Sequence, residues 1–237
     1  MLDKDPPNVI QNPTYQSENV IAAVIFDMDG LLIDSEPLWQ EAEILVFQQV
    51  NITLTNELCL QTKGLRIDEV VDYWYQKFPW TNLSKQKVEE LIVNQVIELI
   101  SLKGKPLPGV DQAISLVQHK SVKIALASSS ALKIVRAALD KLNLSDVFTQ
   151  VYSAESEILG KPHPGVYLTT ANKLGVAPQQ CLALEDSLNG VLAAKAAQMN
   201  CIAIPEVAQL NNPKFAIADL TLHSLAEFND EVWNSFN

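Results

Sequence analysis

The chain has 237 residues, 48% of them hydrophobic and 19% charged, with 28 acidic side chains against 17 lysines and arginines. That composition supports a packed core and excludes a disordered chain. A net charge of -11, with Arg66 and Arg136 as the only arginines, argues against a nucleic-acid partner.

No apolar run is long enough to span a membrane. The polar, Pro-containing stretch 1–19 lacks a basic n-region and an apolar h-region, so it reads as a flexible extension of a cytoplasmic protein. Cys59, Cys181 and Cys201 form no CxxC pair and read as small core residues in a reduced compartment.

Val20–Phe26 is a continuous apolar run, as a strand buried on both faces requires. It ends abruptly at Asp27-Met28-Asp29-Gly30. Asp34-Ser35-Glu36-Pro37 then has the chemistry of a helix start. Leu38–Val50, Ile67–Phe78 and Lys85–Leu102 show helical spacing, with Val88, Leu91, Ile92, Gln95, Val96, Leu99 and Ile100 approximating one apolar stripe. Lys103–Gly109 reads as a hinge.

Beyond the hinge, helices and strands alternate. Helix Val110–Lys120 precedes strand Val122–Ala127, and helix Ala131–Leu142 precedes a short strand near Val151. Helix Pro164–Leu174 precedes strand Cys181–Leu184, and helix Ser187–Gln198 precedes strand Cys201–Pro205. A last short strand is expected at Ala218–Leu220. The pattern predicts an α/β fold: a doubly wound parallel sheet with an inserted all-helical domain. The expected division is a core over 20–36 and 104–237 and a helical cap over 37–103.

In such sheets ligands sit at the carboxyl ends of the strands. Those ends offer Asp27 and Asp29, then Ser128, Ser129 and Ser130, then Lys161 in a GKPHP stretch, then Glu185 and Asp186. Four carboxylates beside one lysine call for a divalent cation, and hard oxygen ligands suit Mg2+. The expected metal set is Asp27, Asp29, Glu185 and Asp186. With the metal bound, Asp27 can attack phosphorus and Asp29 can act as acid and base. Ser128 and Ser129 would bind phosphoryl oxygens, and Lys161 would neutralise charge. Each residue alone has a plainer reading as a cap, turn or surface group; their joint arrival at successive strand ends favours chemistry.

FDMDGLLIDSE, ALASSS, GKPHP and LALEDSLNG resemble, in order, the four motifs of the haloacid dehalogenase superfamily. The resemblance implies an aspartyl-phosphate intermediate at Asp27, Asp29 as acid/base, Ser128, Lys161, and Asp186 as metal ligand with Glu185 as ligand or near neighbour. SEPLW, GLRIDEVVDYWY and Pro79-Trp80 are most similar to the hexitol and 2-deoxyglucose-6-phosphate phosphatase group. This implies a small sugar phosphate as substrate, and a monomer or weak dimer is expected. Asn189 stands where some relatives carry another carboxylate.

In the insertion, Lys63, Gly64 and Arg66 read as a loop facing the core, with Arg66 either contacting substrate or serving as a solvated charge. Trp39 and Trp74 either wall the sugar pocket or pack the cap. A β-phosphoglucomutase is the rival enzyme. Members of that group carry a histidine early in the cap, whereas this insertion has none and places Trp39 at about that point. A catalytically silent sugar-phosphate sensor is the rival outside enzymology.

Overall fold

Ala23–Phe26 (β1) is completely buried in the computed structural model, which describes residues 20–237. The extension expected over 1–19 lies outside the described residues. After β1 the chain turns tightly: the Met28 carbonyl accepts hydrogen bonds from the N–H groups of Leu31, Leu32 and Ile33. Helix α1 (Glu36–Gln48) follows, with Pro37 in its first turn, where its missing N–H costs nothing.

Three further helices complete the insertion: α2 (Asn56–Cys59), α3 (Ile67–Lys77) and α4 (Lys85–Lys103). The stripe on α4 is buried at Val88, Ile92, Val96, Leu99 and Ile100. It packs against α1 and α3. The sequence pattern missed α2. Four residues are too few to show a helical period, and the element is set by Thr55, whose side chain accepts the Leu58 N–H.

The remainder alternates as expected: α5 (Val110–His119), β2 (Lys123–Ser128), α6 (Leu132–Leu142), β3 (Gln150–Ser153), α7 (Gly165–Leu174), β4 (Cys181–Glu185), α8 (Leu188–Ala196) and β5 (Asn200–Ala203). The last strand, β6, is Leu220–Thr221 rather than Ala218–Leu220. Ala218 still belongs to the turn that closes Pro213–Ile217, and pairing to β5 starts at Leu220 opposite Ile202. A short terminal helix, α9 (Asp230–Asn234), was also missed; Asn229 caps it through the Val232 N–H.

All strand pairs are parallel, in the order β3-β2-β1-β4-β5-β6. Crossovers on both faces make the sheet doubly wound, as the sequence predicts. Phe26 stands level with Leu126 on β2 and Leu184 on β4. The three strands therefore end within two residues of one another, and the residues at their ends share one rim.

The two faces of the sheet differ. Val24, Phe26, Leu126, Leu182 and Leu184 join a large apolar core that continues through α4, α5 and α6 into the helical insertion. Ala23, Ala125, Ala127 and Ala183 face the other way, where their small side chains let α7 and α8 pack closely. The insertion leaves and rejoins the core at one place. The Asp34 N–H donates to the Lys105 carbonyl at 3.0 Å, and the Leu107 N–H donates to the Leu32 carbonyl at 3.1 Å. Further contact comes from α4 against α6, where Lys141 Nζ donates to the Ser101 carbonyl at 2.7 Å. Among the described residues, no helix is long and apolar enough to cross a membrane.

Candidate active site

Asp27 is the first residue past β1, and its N–H still donates to Leu184 of β4 at 3.0 Å. That bond points the side chain into the rim, where it is only 6% exposed. Lys161 Nζ lies 2.7 Å from Asp27 Oδ1 and 2.7 Å from Glu185 Oε1, and it also donates to the Ala127 carbonyl at 3.2 Å. Glu185 is fully buried, and its Oε1 also accepts the Tyr167 hydroxyl at 2.5 Å. Gly190 leaves the room it needs, since a Cβ there would come within 1.9 Å of the Glu185 carboxyl.

These partners fix the charges. Burial alone would lower the Lys161 pKa, but Asp27 and Glu185 raise it above the ordinary value, so the ammonium persists. Burial pushes Asp27 well above the usual carboxylate range; Lys161 works against that rise, while Glu185, Asp186 and Asp29 add to it. Burial also pushes Asp186 up to about 7, with Lys63 opposing.

Asp186 follows Glu185 and packs directly against Gly30, which has φ +73°. A Cβ at Gly30 would come within 2.2 Å of Asp186 Oδ2, so close approach and backbone both require glycine. Asp186 Oδ2 is buried and accepts no hydrogen bond; Lys63 of the insertion stands 3.3 Å from it as an ion-pair partner. Lys63 also pairs with Glu206.

One oxygen from each of Asp27, Glu185 and Asp186 lies within 4.8 Å of the others. The set is entirely carboxylate oxygen, which fits a hard divalent cation. Asp27 and the unsatisfied Asp186 Oδ2 are the fitting donors. The Glu185 carboxyl is occupied by Lys161 and Tyr167 and anchors the lysine.

Asp29 differs from the sequence expectation. Its carboxyl is not in the acidic cluster. Oδ1 accepts the Ser35 hydroxyl at 2.7 Å and the Trp39 indole N–H at 3.0 Å, and Oδ2 accepts the Ser130 hydroxyl at 2.6 Å. Three donors, two from the start of α1 and one from the turn after β2, hold it in the cleft beside Asp27. That arrangement suits a proton-transfer group whose direction matters, and it keeps the carboxyl outside the cluster of Asp27, Glu185 and Asp186.

The Ser128 hydroxyl accepts the Ser130 N–H at 3.0 Å, which fixes the turn after β2. The Ser129 hydroxyl is buried, lines the cleft and has no hydrogen-bond partner among the described residues. A buried hydroxyl without a partner is costly, and a phosphoryl oxygen would satisfy it.

Arg66 also departs from expectation. It does not line the cleft. Its guanidinium donates to the carbonyls of Ala154 (3.2 Å) and Glu157 (2.6 Å), in the loop between β3 and Lys161, and pairs with Asp68 at 2.7 Å. Next to it, Glu69 accepts the Gly160 N–H at 3.3 Å and the Arg66 N–H at 3.0 Å. Arg66 therefore clasps the insertion to the loop that carries Lys161. We expect Arg66→Ala to lower kcat/KM for a sugar phosphate and for a small aryl phosphate by similar factors, roughly tenfold, because backbone acceptors lose a charged donor. Steady-state kinetics on both substrates checks this; selective loss on the sugar ester would instead place Arg66 on the substrate.

Trp74 is fully buried against Phe47, Tyr73 and Phe78 and is a packing residue. Trp39 lines the cleft and is bonded to Asp29. Sequence reasoning missed Tyr167, hidden on the apolar face of α7, and Glu206, which lies in a loop after β5. It also missed Glu36, Gln40 and Glu43 of α1, which line the cleft.

The sequence profile described as Haloacid dehalogenase-like hydrolase matches residues 24–204. Hexitol phosphatase B of Escherichia coli K12 is 47% identical over 87% of this chain and 94% of its own. A β-phosphoglucomutase of Bacillus subtilis is 29% identical over 86% of this chain and 94% of its own. Among solved structures, CbbY from Rhodobacter sphaeroides in complex with phosphate superimposes with a TM-score of 0.82 at 25% identity. It covers 89% of this chain and 97% of that one. A β-phosphoglucomutase from Clostridium difficile gives 0.80 at 26% identity, covering 92% and 97%. Sheet order, helical insertion, strand-end residues and matches over most of the chain agree: the protein belongs to the haloacid dehalogenase-like hydrolases.

Proposed function

We propose that this protein is a magnesium-dependent phosphatase that hydrolyses small sugar phosphates, such as hexitol, hexose or 2-deoxyglucose 6-phosphates, through a phosphorylated Asp27. The observation that carries the reading is the pairing of two differently held carboxyls in one cleft. Asp27 is bound to Lys161 at 2.7 Å, and Asp29 is aimed by Ser35, Trp39 and Ser130. The similarity to Hexitol phosphatase B supports the sugar class.

In this reading an Asp27 oxygen attacks phosphorus while the bond from phosphorus to the sugar oxygen breaks. Asp29 delivers a proton to the leaving oxygen. Water then attacks the phospho-Asp27, Asp29 takes the water proton, and inorganic phosphate leaves. Ser128 and Ser129 bind phosphoryl oxygens, and the Lys161 ammonium offsets charge as it develops. Magnesium, held by Asp27 and Asp186, would supply the positive charge that lets a carboxylate approach a phosphate dianion. Residues 37–103 serve as the cap that chooses the substrate, and the enzyme works in the cytoplasm as a monomer or weak dimer.

Transfer to a second sugar, as in a mutase, is less well supported. Trp39 gives Asp29 an indole N–H, a donor that does not titrate near neutral pH. Nothing at that point of α1 would delay water until another acceptor arrives.

Phosphate release from a panel of hexitol, hexose, 2-deoxyhexose and pentose phosphates tests the proposal. Turnover is expected to require Mg2+. Ca2+ should inhibit, because its larger, looser coordination sphere misaligns the in-line attack. Equal rates with both ions, or no turnover of any sugar phosphate, would defeat the reading.

A further inference from the structure

Glu36, Gln40 and Glu43 lie four and three residues apart, so they share one face of α1, and all three line the cleft that holds Asp27 and Asp29. Glu43 is the deepest. It is 6% exposed, and its Oε2 is buried without a hydrogen-bond partner among the described residues. Among the described residues, no lysine or arginine pairs with it. Of the two lysines that line this cleft, Lys63 is committed to Asp186 and Glu206, and Lys161 to Asp27 and Glu185. The groups that face Glu43 are the Cys59 thiol of α2 and, two turns back along α1, Glu36. Burial lifts the Glu43 pKa to about 8, and Glu36 adds to the rise. Near neutral pH it is therefore a carboxylic acid, able both to donate and to accept a hydrogen bond.

A buried carboxyl with an idle oxygen costs stability, and such groups concentrate where a ligand will use them. The position limits what that ligand is. Trp39 touches Asp29, and Glu43 lies one turn further along α1, about 6 Å by the helical rise. A phosphate ester seated at Asp27 with a short two- or three-carbon alcohol would not extend that far. A pentitol or hexitol chain, or a hexose ring, would.

We propose that Glu43 is a specificity-determining residue that hydrogen-bonds a hydroxyl at the end of a polyol phosphate remote from its phosphate. The assignment rests on the phosphatase reading and names the part of the substrate that reading left open. A substrate whose remote end is a carboxylate would meet Glu43 and Glu36 together and be rejected, whereas a neutral hydroxyl satisfies the idle oxygen.

The test compares kcat/KM on sorbitol 6-phosphate, glycerol 3-phosphate and 4-nitrophenyl phosphate for the full-length wild type, Glu43→Leu and Glu43→Gln, all with Mg2+. Glu43→Leu should lose roughly 10–100-fold on sorbitol 6-phosphate, mainly through KM, because a substrate hydroxyl is left unpaired. Its loss on glycerol 3-phosphate, which is too short to reach Glu43, and on 4-nitrophenyl phosphate, which has no hydroxyl to offer it, should stay within about threefold. Glu43→Gln keeps a donor and an acceptor and should recover much of the difference. Its thermal midpoint should match or exceed the wild type, because the idle acid is gone. An equal loss on all three substrates, or an unchanged preference in both variants, overturns the assignment. A wild type that cleaves the aryl ester but no polyol phosphate overturns the underlying sugar-phosphatase reading as well, and that result is separate because it needs no variant.

Discussion

Asp27→Asn is expected to abolish turnover of sugar phosphates, by roughly 10⁴-fold or more if the residue is the nucleophile. An amide cannot form the acyl phosphate, and it is a poorer ligand for a hard cation. The fold should survive, because Asp27 is positioned by its backbone N–H bond to Leu184, which the substitution keeps. Lys161 also retains Glu185 and the Ala127 carbonyl as partners. The lost rate therefore reports chemistry rather than collapse. Rapid quench of the wild type with a phosphate ester should give a protein heavier by one phosphoryl group, located on the peptide containing Asp27. Normal turnover by Asp27→Asn, or a phosphoryl group found on Ser128, would defeat the mechanism.

Asp29→Asn is expected to fold, bind phosphate and lose roughly 10²–10⁴-fold in rate on a sugar ester. The amide oxygen can still accept from Ser35 and Trp39 on one side. On the other its NH2 meets the Ser130 hydroxyl, which turns from donor to acceptor. Geometry is retained while proton transfer is lost. The defect should be smaller on a nitrophenyl ester, whose leaving group needs no proton. The phospho-Asp27 of this variant should also persist, since its hydrolysis lacks a base. Single-turnover kinetics followed by mass spectrometry measures both effects. Equal losses on the alkyl and aryl esters would assign Asp29 to positioning alone.

Much of this was legible because burial writes itself into sequence. β1 and β4 are unbroken apolar runs since both of their faces are covered, and the polar residues that stop them mark the rim. Asp27, Lys161, Glu185 and Asp186 could be placed together once the sheet was inferred. What escaped depended on direction rather than on position. Asp29 follows Asp27 by two residues, yet its side chain turns to Ser35, Trp39 and Ser130 instead of the acidic cluster, a choice made by side-chain rotation after the strand has ended. Arg66 sits in a loop that does face the core, but its long side chain reaches backbone carbonyls past the cleft. Tyr167 reads as one more apolar position on a helix; its hydroxyl matters only because α7 crosses above Glu185. Short elements were lost for another reason: α2 and α9 owe their existence to single capping side chains, not to periodicity.

The narrow neck through which the insertion joins the core bears on how such a protein can change over time. Asp34 and Lys105 are already hydrogen-bonded neighbours, as are Leu32 and Leu107, so the sheet sees the same two anchored ends whatever lies between them. The entropy of closing that loop grows only with the logarithm of its length, so a doubled insertion costs about 0.6 kcal/mol more. Lineages can lengthen, shorten or remodel the helical block at little expense to the sheet. The toll falls instead on two contacts, the seam of α4 with α6 and the Arg66–Glu69 clasp. An exchanged block that reproduces both would inherit the phosphoryl chemistry intact and bring its own choice of alcohol.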